Sequence, residues 1–157
     1  MKQNVYNGRY TAEVDGEFVV FIIGMRINKL LSFSKWITVF RAMGPMIKEL
    51  YDFKEFGFLH TEVMFNWRRI TLIQYWRSFE QLERYAHGKT HAIAWKKFNQ
   101  KIGMHGTVGI FHETYKITTK SAEAFYGNMP KFGLANAFKH ITVTPSINSA
   151  RKRLETH

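Results

Sequence analysis

Hydrophobic and polar positions alternate in two different rhythms along this chain. Residues 17–27 (EFVVFIIGMRI) crowd β-branched and aromatic side chains into one short run, which predicts a buried strand. From Ser34 the spacing turns helical. Trp36, Val39, Phe40, Met43, Ile47, Leu50 and Tyr51 form a stripe, with Lys35, Arg41 and Lys48 on other faces. Gly44-Pro45 falls inside that stripe and predicts a kink or a division into two short helices. Residues 58–66 and 69–77 read as two strands joined by a tight turn near Asn66-Trp67-Arg68. Ser78-Phe79-Glu80-Gln81 matches a capping box, and Phe79, Leu82, Tyr85 and Ala86 supply the apolar face of the helix it opens. A second helical stretch over 90–102 carries His91, Ala94, Trp95, Phe98 and Ile102 on one stripe before Gly103. Residues 107–117 (TVGIFHETYKI) predict the last strand.

The resulting order, β-α-β-β-α-β, is that of a ferredoxin-like α+β sandwich. Its four-stranded antiparallel sheet has helices on one face only. The other face is also apolar, and a second subunit packed sheet to sheet, giving a homodimer, is its simplest cover. Residues 17–118 form the domain, and 1–16 are an N-terminal extension. Residues 119–157 are a basic C-terminal extension expected to pack on the domain or the partner. Phe125, Tyr126, Phe132, Leu134, Phe138 and Ile141 would make that contact, with fraying after Pro145.

Composition narrows the chemistry. With no Cys in 157 residues, thiolate nucleophiles, disulfides and Cys metal sites are excluded. The longest apolar run, Phe18 to Met25, is too short to span a bilayer, so no membrane span and a cytoplasmic location are expected. A net charge of +11 raises the question of an anionic partner: nucleic acid, a membrane surface or an acidic small molecule. Trp67, Arg68 and Arg69 combine aromatic and basic groups, yet no RNA-recognition motif or helix-turn-helix accompanies them, so no nucleic acid is expected. Phosphate-cradling glycine loops and the G-x-S-x-G elbow are absent from the sequence as well.

The run TEVMFNWRRITLIQYWRSFEQLERYAHGKTHAIAWKKF (61–98), followed by GTVGIFHETYKI (106–117), resembles the monooxygenase-like branch of the dimeric α/β-barrel superfamily. That resemblance implies paired ferredoxin-like units enclosing a small-molecule pocket. The superfamily includes cofactor-free monooxygenases, haem-degrading enzymes and haem-dependent aldoxime dehydratases. A narrower similarity to the aldoxime dehydratases concerns His91, in Lys89-Thr90-His91, and His112, in Phe111-His112-Glu113-Thr114. It implies an iron ligand at His91 and a distal acid–base group at His112.

The residues themselves leave several roles open. His91 shares an apolar stripe with Trp95 and is either a haem ligand, a structural histidine or an acid–base group. His112 alternates with Val108, Ile110 and Thr114; facing a pocket it is a general acid/base, and facing the helices a core histidine. His60 and Glu62 share one face of their strand, as Gln74 and Trp76 do on the next, and such convergent polar groups mark either a small-molecule site or a contact face. A metal held by His60, Glu62 and His112 lacks the HExxH spacing. Arg26 and Lys29, at the end of the first strand, are candidates to pair with a carboxylate, propionate or phosphate. The expected function is a monooxygenase-like oxidoreductase acting on a hydrophobic or acidic small molecule, with haem or no cofactor. The alternatives are a haem enzyme of aldoxime-dehydratase type and a non-catalytic binding protein.

Overall fold

A computed structural model describes residues 4–88, 91–93, 96, 98, 100 and 106–156. Its main sheet is built from β2 (Phe18–Ile27), β3 (Phe58–Asn66), β4 (Arg69–Trp76) and β5 (Val108–Ile117). These run β3-β4-β2-β5 across the sheet, every neighbouring pair antiparallel. Helices α1 (Phe33–Asp52) and α2 (Phe79–Ala86) fill the two crossovers. This is the ferredoxin-like order anticipated from the sequence. The described residues among 91–100 are helical, and Ala92 N donates to Gly88 O at 2.9 Å.

The helix-covered face carries the core. Val19, Leu50, Phe58, Trp76, Leu82 and Tyr85 form one cluster. Met25, Ile27 and Val108 form a second, packed by Trp36, Val39, Met43, Ile70 and Phe98. Strand alternation therefore sends Phe18, Val20, Ile22, Gly24 and Arg26 to the outer face. Trp76 is completely buried and its Nε1–H donates to Gln74 Oε1 at 3.1 Å, so its one polar atom is satisfied. Ser78 caps α2 from an extended backbone, its Oγ accepting from Gln81 N at 3.2 Å.

Gly44-Pro45 does not divide the first helix: α1 runs unbroken through 20 residues. Proline in a helix interior costs about 3 kcal/mol. Here Arg41, whose carbonyl loses its partner, and Pro45 itself both face solvent. Packing of Trp36, Val39 and Met43 on one side and Leu50 on the other holds both halves in line.

The two extensions form one unit. β1 (Tyr6–Glu13) is the central strand of a second sheet, ordered β6-β1-β7, with β6 (Tyr126–Met129) and β7 (Lys139–Thr142) antiparallel on either side. Ala12, Tyr126 and Ala135 of α3 (Leu134–Ala137) make its small core. The chain does not fray after Pro145. A 3-10 turn (Pro145–Ile147) leads into α4 (Ala150–Thr156), where Arg153 is buried, bonding Glu123 Oε2 at 2.7 Å and Ile147 O at 3.2 Å. A basic residue that looks like solvated tail thus anchors the last helix.

This small unit covers one end of the outer face. Phe138 stacks edge-on against Phe18 with centroids 5.1 Å apart. Val20, Ile22 and Ile73 elsewhere on that face are half-buried, and Met64 and Tyr115 are exposed.

Candidate active site

An apolar hollow of about 260 Å³ lies between α1 and the β3–β4 hairpin. Phe40, Met43 and Ile47 form its roof, while Val63, Phe65, Ile70 and Leu72 form its floor; Arg41 also lines it. The floor is made of cross-strand pairs, Phe65 opposite Ile70 and Val63 opposite Leu72. The next pair along is Thr61 opposite Gln74, both buried. Tyr51 lies one helical turn beyond Ile47 on α1. The hollow itself is apolar apart from Arg41, and a polar stretch of the same helix and strand begins beyond its lining.

In that polar stretch a chain of hydrogen bonds passes round the free edge of the sheet. β3 is an edge strand, and Thr61 N–H points outward to the Tyr51 hydroxyl at 3.2 Å. Tyr51 Oη lies 3.0 Å from His60 Nδ1, and His60 Nε2 lies 3.0 Å from Glu62 Oε1. A bulge makes this possible. Between Phe58, opposite Trp76, and His60, opposite Tyr75, β3 carries one extra residue. Phe58 consequently enters the helix-side core while His60 turns to the outer face, although two residues apart they would ordinarily share a face.

Glu62 is the hub. Its Oε1 also accepts from Gly133 N at 2.7 Å and from Asn136 Nδ2 at 3.0 Å, both from the C-terminal unit. Burial pushes the Tyr51 phenol above its ordinary value; the Thr61 amide opposes this and Glu62 adds to it. Tyr75, beside Gly133, is pushed up to about 12 by burial, with smaller contributions from Tyr126 and Glu62.

The sequence-predicted residues do not all meet here. His60 and Glu62 do. His112 lies on the helix-covered face, paired with Ile23 on β5, exposed and tilted against Phe21 at 5.6 Å. It sits on the opposite edge strand and the opposite face from His60. Three strand spacings, about 14 Å, separate the two strands. A joint His60–Glu62–His112 metal site is therefore ruled out by topology, and no metal-binding group of three was found among the described residues.

The residues assigned to a cofactor are also apart. His91 packs edge-on against Tyr85 at 6.1 Å, on the helix side. Arg26 is exposed on the outer face, where its Nη1 donates to Asn28 Oδ1 at 2.7 Å. One haem ligated by His91 cannot reach Arg26 across the sheet, and neither residue lines the hollow. Trp95 lies outside the described residues.

Tyr51, Gly133 and Asn136 are the residues that sequence reasoning missed. Tyr51 ends the α1 stripe with a polar tip, which is a signal, but its partner is fixed only by the turn between α1 and β3 and by the bulge. Nothing local in the tail marks Gly133 and Asn136 as partners of a residue 71 or 74 positions earlier.

The fold and site together define a ferredoxin-like α+β protein with an apolar hollow under α1 and a Tyr-His-Glu chain at the neighbouring sheet edge. A family model described as Monooxygenase af470-like matches residues 18–134, and the chain belongs to that family. Monooxygenase af470 of Aspergillus fumigatus is 30% identical over 150 residues, covering 80% of this chain and 52% of that protein. The chain thus spans about half the length of this curated relative. Solved structures with similar backbones include a dimeric protein of unknown function and ferredoxin-like fold from Bacteroides fragilis, at TM-score 0.47 and 16% identity, covering 64% of this chain and 96% of that one. Another is SnoaB, a cofactor-independent oxygenase from Streptomyces nogalater, at TM-score 0.43 and 11% identity, covering 64% and 92%. The resemblance to aldoxime dehydratases is not carried by these matches.

Proposed function

We propose that the protein is a monooxygenase-like enzyme that holds a hydrophobic small molecule in the hollow between α1 and the β3–β4 hairpin. The observation that carries this reading is the apolar hollow itself, with the Tyr51–His60–Glu62 chain at the adjoining sheet edge beyond its lining. Family membership supports the oxygenase class.

The chemistry suited to this arrangement is oxidation of an activated methylene. Apolar walls would exclude water around a substrate whose C–H is acidified by adjacent aromatic or carbonyl groups. The phenol-histidine-carboxylate chain would take up its proton, His60 acting as base through the Tyr51 hydroxyl. The carbanion gives electrons to dioxygen and combines with it, and the peroxide formed takes the proton back. Loss of the second C–H proton with O–O cleavage leaves a ketone and water. In balance, one methylene and one dioxygen give one ketone and one water, with no further reductant. Arg41, lining the hollow, would face an oxygen substituent.

The still-open outer face, with Val20, Ile22, Ile73, Met64 and Tyr115, suits a second copy, so the working form would be a homodimer. Filling the hollow tests the assignment. Dioxygen uptake would be recorded with aromatic ketones that carry activated methylenes. Wild type should turn over at least one of them and Ile47→Trp should not, although its thermal unfolding is unchanged. Undiminished turnover in Ile47→Trp would place the chemistry elsewhere.

A further inference from the structure

The end of the sheet where β2, β3 and α1 meet exposes an unusual concentration of large apolar side chains. Leu31 is fully exposed, Trp67 is 81% exposed and Phe65 70%, with Phe33, Phe40 and Leu30 also open to solvent. Leu30 and Leu31 lie in the β2–α1 connection and Trp67 in the β3–β4 turn, two loops held side by side, with Phe33 and Phe40 on α1 and Phe65 near the end of β3. Ile27 N donates to Arg68 O at 2.7 Å, which ties the β2–α1 connection to the β3–β4 turn. Trp36 Nε1 donates to Leu30 O at 3.1 Å and its ring meets Phe33 at 4.6 Å, which fixes the loop against the first turn of α1.

The same end is basic without exception. Arg26, Lys29, Lys35, Arg41, Arg68 and Arg69 surround the apolar tips, and segments 26–41, 63–72 and 106–112 contain no Asp or Glu. Acidic partners occur elsewhere, as in Lys48–Asp52, Lys139–Glu13 and Arg153–Glu123.

We propose that this end docks on an anionic lipid membrane surface. Leu31, Phe33, Phe65 and Trp67 would enter the headgroup layer, and the ring of basic side chains would meet lipid phosphates and carboxylates. Protruding aliphatic and aromatic tips ringed by cations are what an interfacial contact needs: buried apolar area plus attraction to negative headgroups. Tryptophan suits the headgroup level, and long basic side chains can lay their stems on apolar surface while the charge stays wet. A nucleic acid would use the aromatic rings but not Leu30 and Leu31, which have no face to stack. Phe40, Arg41 and Phe65 also line the hollow, so its mouth opens beside the docked surface. Delivery of a lipophilic substrate from the bilayer follows only if the proposed function holds; the docking itself does not depend on it.

Flotation of the full chain with phosphatidylcholine vesicles containing about one-third phosphatidylserine tests the proposal. Wild type should float with these vesicles and bind pure phosphatidylcholine far more weakly. Lys29→Gln/Lys35→Gln should lose about 30-fold in partitioning, about fivefold per charge. Leu31→Ser/Trp67→Ser should lose at least about tenfold, with an unchanged circular dichroism spectrum. Brominated lipid should quench an emission component that is missing in Trp67→Phe. The proposal fails if wild type does not float at low salt, or if both double variants float like wild type. It also fails if the patch proves to bind RNA or DNA more tightly than vesicles. A patch that instead joins two copies, so that Leu31→Ser/Trp67→Ser lowers the sedimented mass while vesicles are ignored, overturns it as well. Because these side chains lie outside the Tyr-His-Glu chain, wild type that fails to float yet takes up dioxygen separates failure of the docking from failure of the enzymatic reading.

Discussion

His60 Nε2 and Glu62 Oε1 lie 3.0 Å apart on the outer face of β3, joined through a carboxylate oxygen that the C-terminal unit also engages. A carboxylate accepts hydrogen bonds and does not donate them, so neutral His60 must carry its proton on Nε2. Its Nδ1 is then left to accept from the Tyr51 hydroxyl. The tail thereby helps set which nitrogen of a catalytic candidate is basic.

Removing the hub should be felt in the tail first. Glu62→Ala leaves the Gly133 amide without its acceptor and the Asn136 side chain with Lys131 O alone, at a cost of about 1–3 kcal/mol. Urea unfolding should register that loss, and hydrogen exchange at the Gly133 amide should accelerate. Exchange at Gly133 unchanged in the variant would mean that the contact holds nothing.

Gly133 itself has φ +55 and ψ −115, and a Cβ there would stand 2.7 Å from the Tyr75 hydroxyl. Gly133→Ala combines backbone strain with that collision, and a loss of about 2 kcal/mol or more is expected in thermal unfolding. A melting temperature equal to wild type would show that the loop can move without cost.

Acid should loosen the small sheet through His140. Its ring stacks on Tyr10 at 4.5 Å and meets Tyr6 at 4.9 Å and Tyr126 at 5.8 Å, and its Nε2 is buried with no hydrogen-bond partner among the described residues. Burial, then Lys131, lowers its pKa below the ordinary histidine value. The folded state therefore binds this proton less readily than the unfolded chain. Stability from this group is complete above about pH 6.5 and is lost as pH falls through that value and the lower folded one. Melting temperatures between pH 7 and pH 5 should fall less steeply in His140→Phe, which keeps the stacking and removes the orphaned nitrogen. An identical slope in the two proteins would rule out His140 as the source.

The main sheet is legible because residues 17–27 crowd apolar side chains into one run and the helices repeat a helical period. Residues 18–27 alternate inward and outward, and the α1 stripe from Trp36 to Leu50 reappears in the core. The small sheet was not legible, because Tyr6–Glu13 is polar at most positions and pairs with residues more than 110 positions later. Pro45 suggested a break that tertiary packing on both sides prevents. Fraying is the sequence's expectation after Pro145, and only the facing Glu123 makes Arg153 structural. In the candidate site, His60 and Glu62 stood out as polar groups in an apolar strand. The bulge that turns His60 away from Phe58 depends on the pairing with β4, and so does the face on which His112 lands.

The sharpest test is the ratio of catalytic constants among three variants with an activated-methylene substrate. His60→Gln and Tyr51→Phe should each lower kcat by at least about a hundredfold, the scale of lost proton transfer. His112→Ala, altered at an exposed position on the opposite edge strand, should stay within about twofold of wild type, as surface changes remote from a site do. A collapse of kcat in His112→Ala with His60→Gln left active would contradict the central claim and move the chemistry to the opposite edge of the sheet.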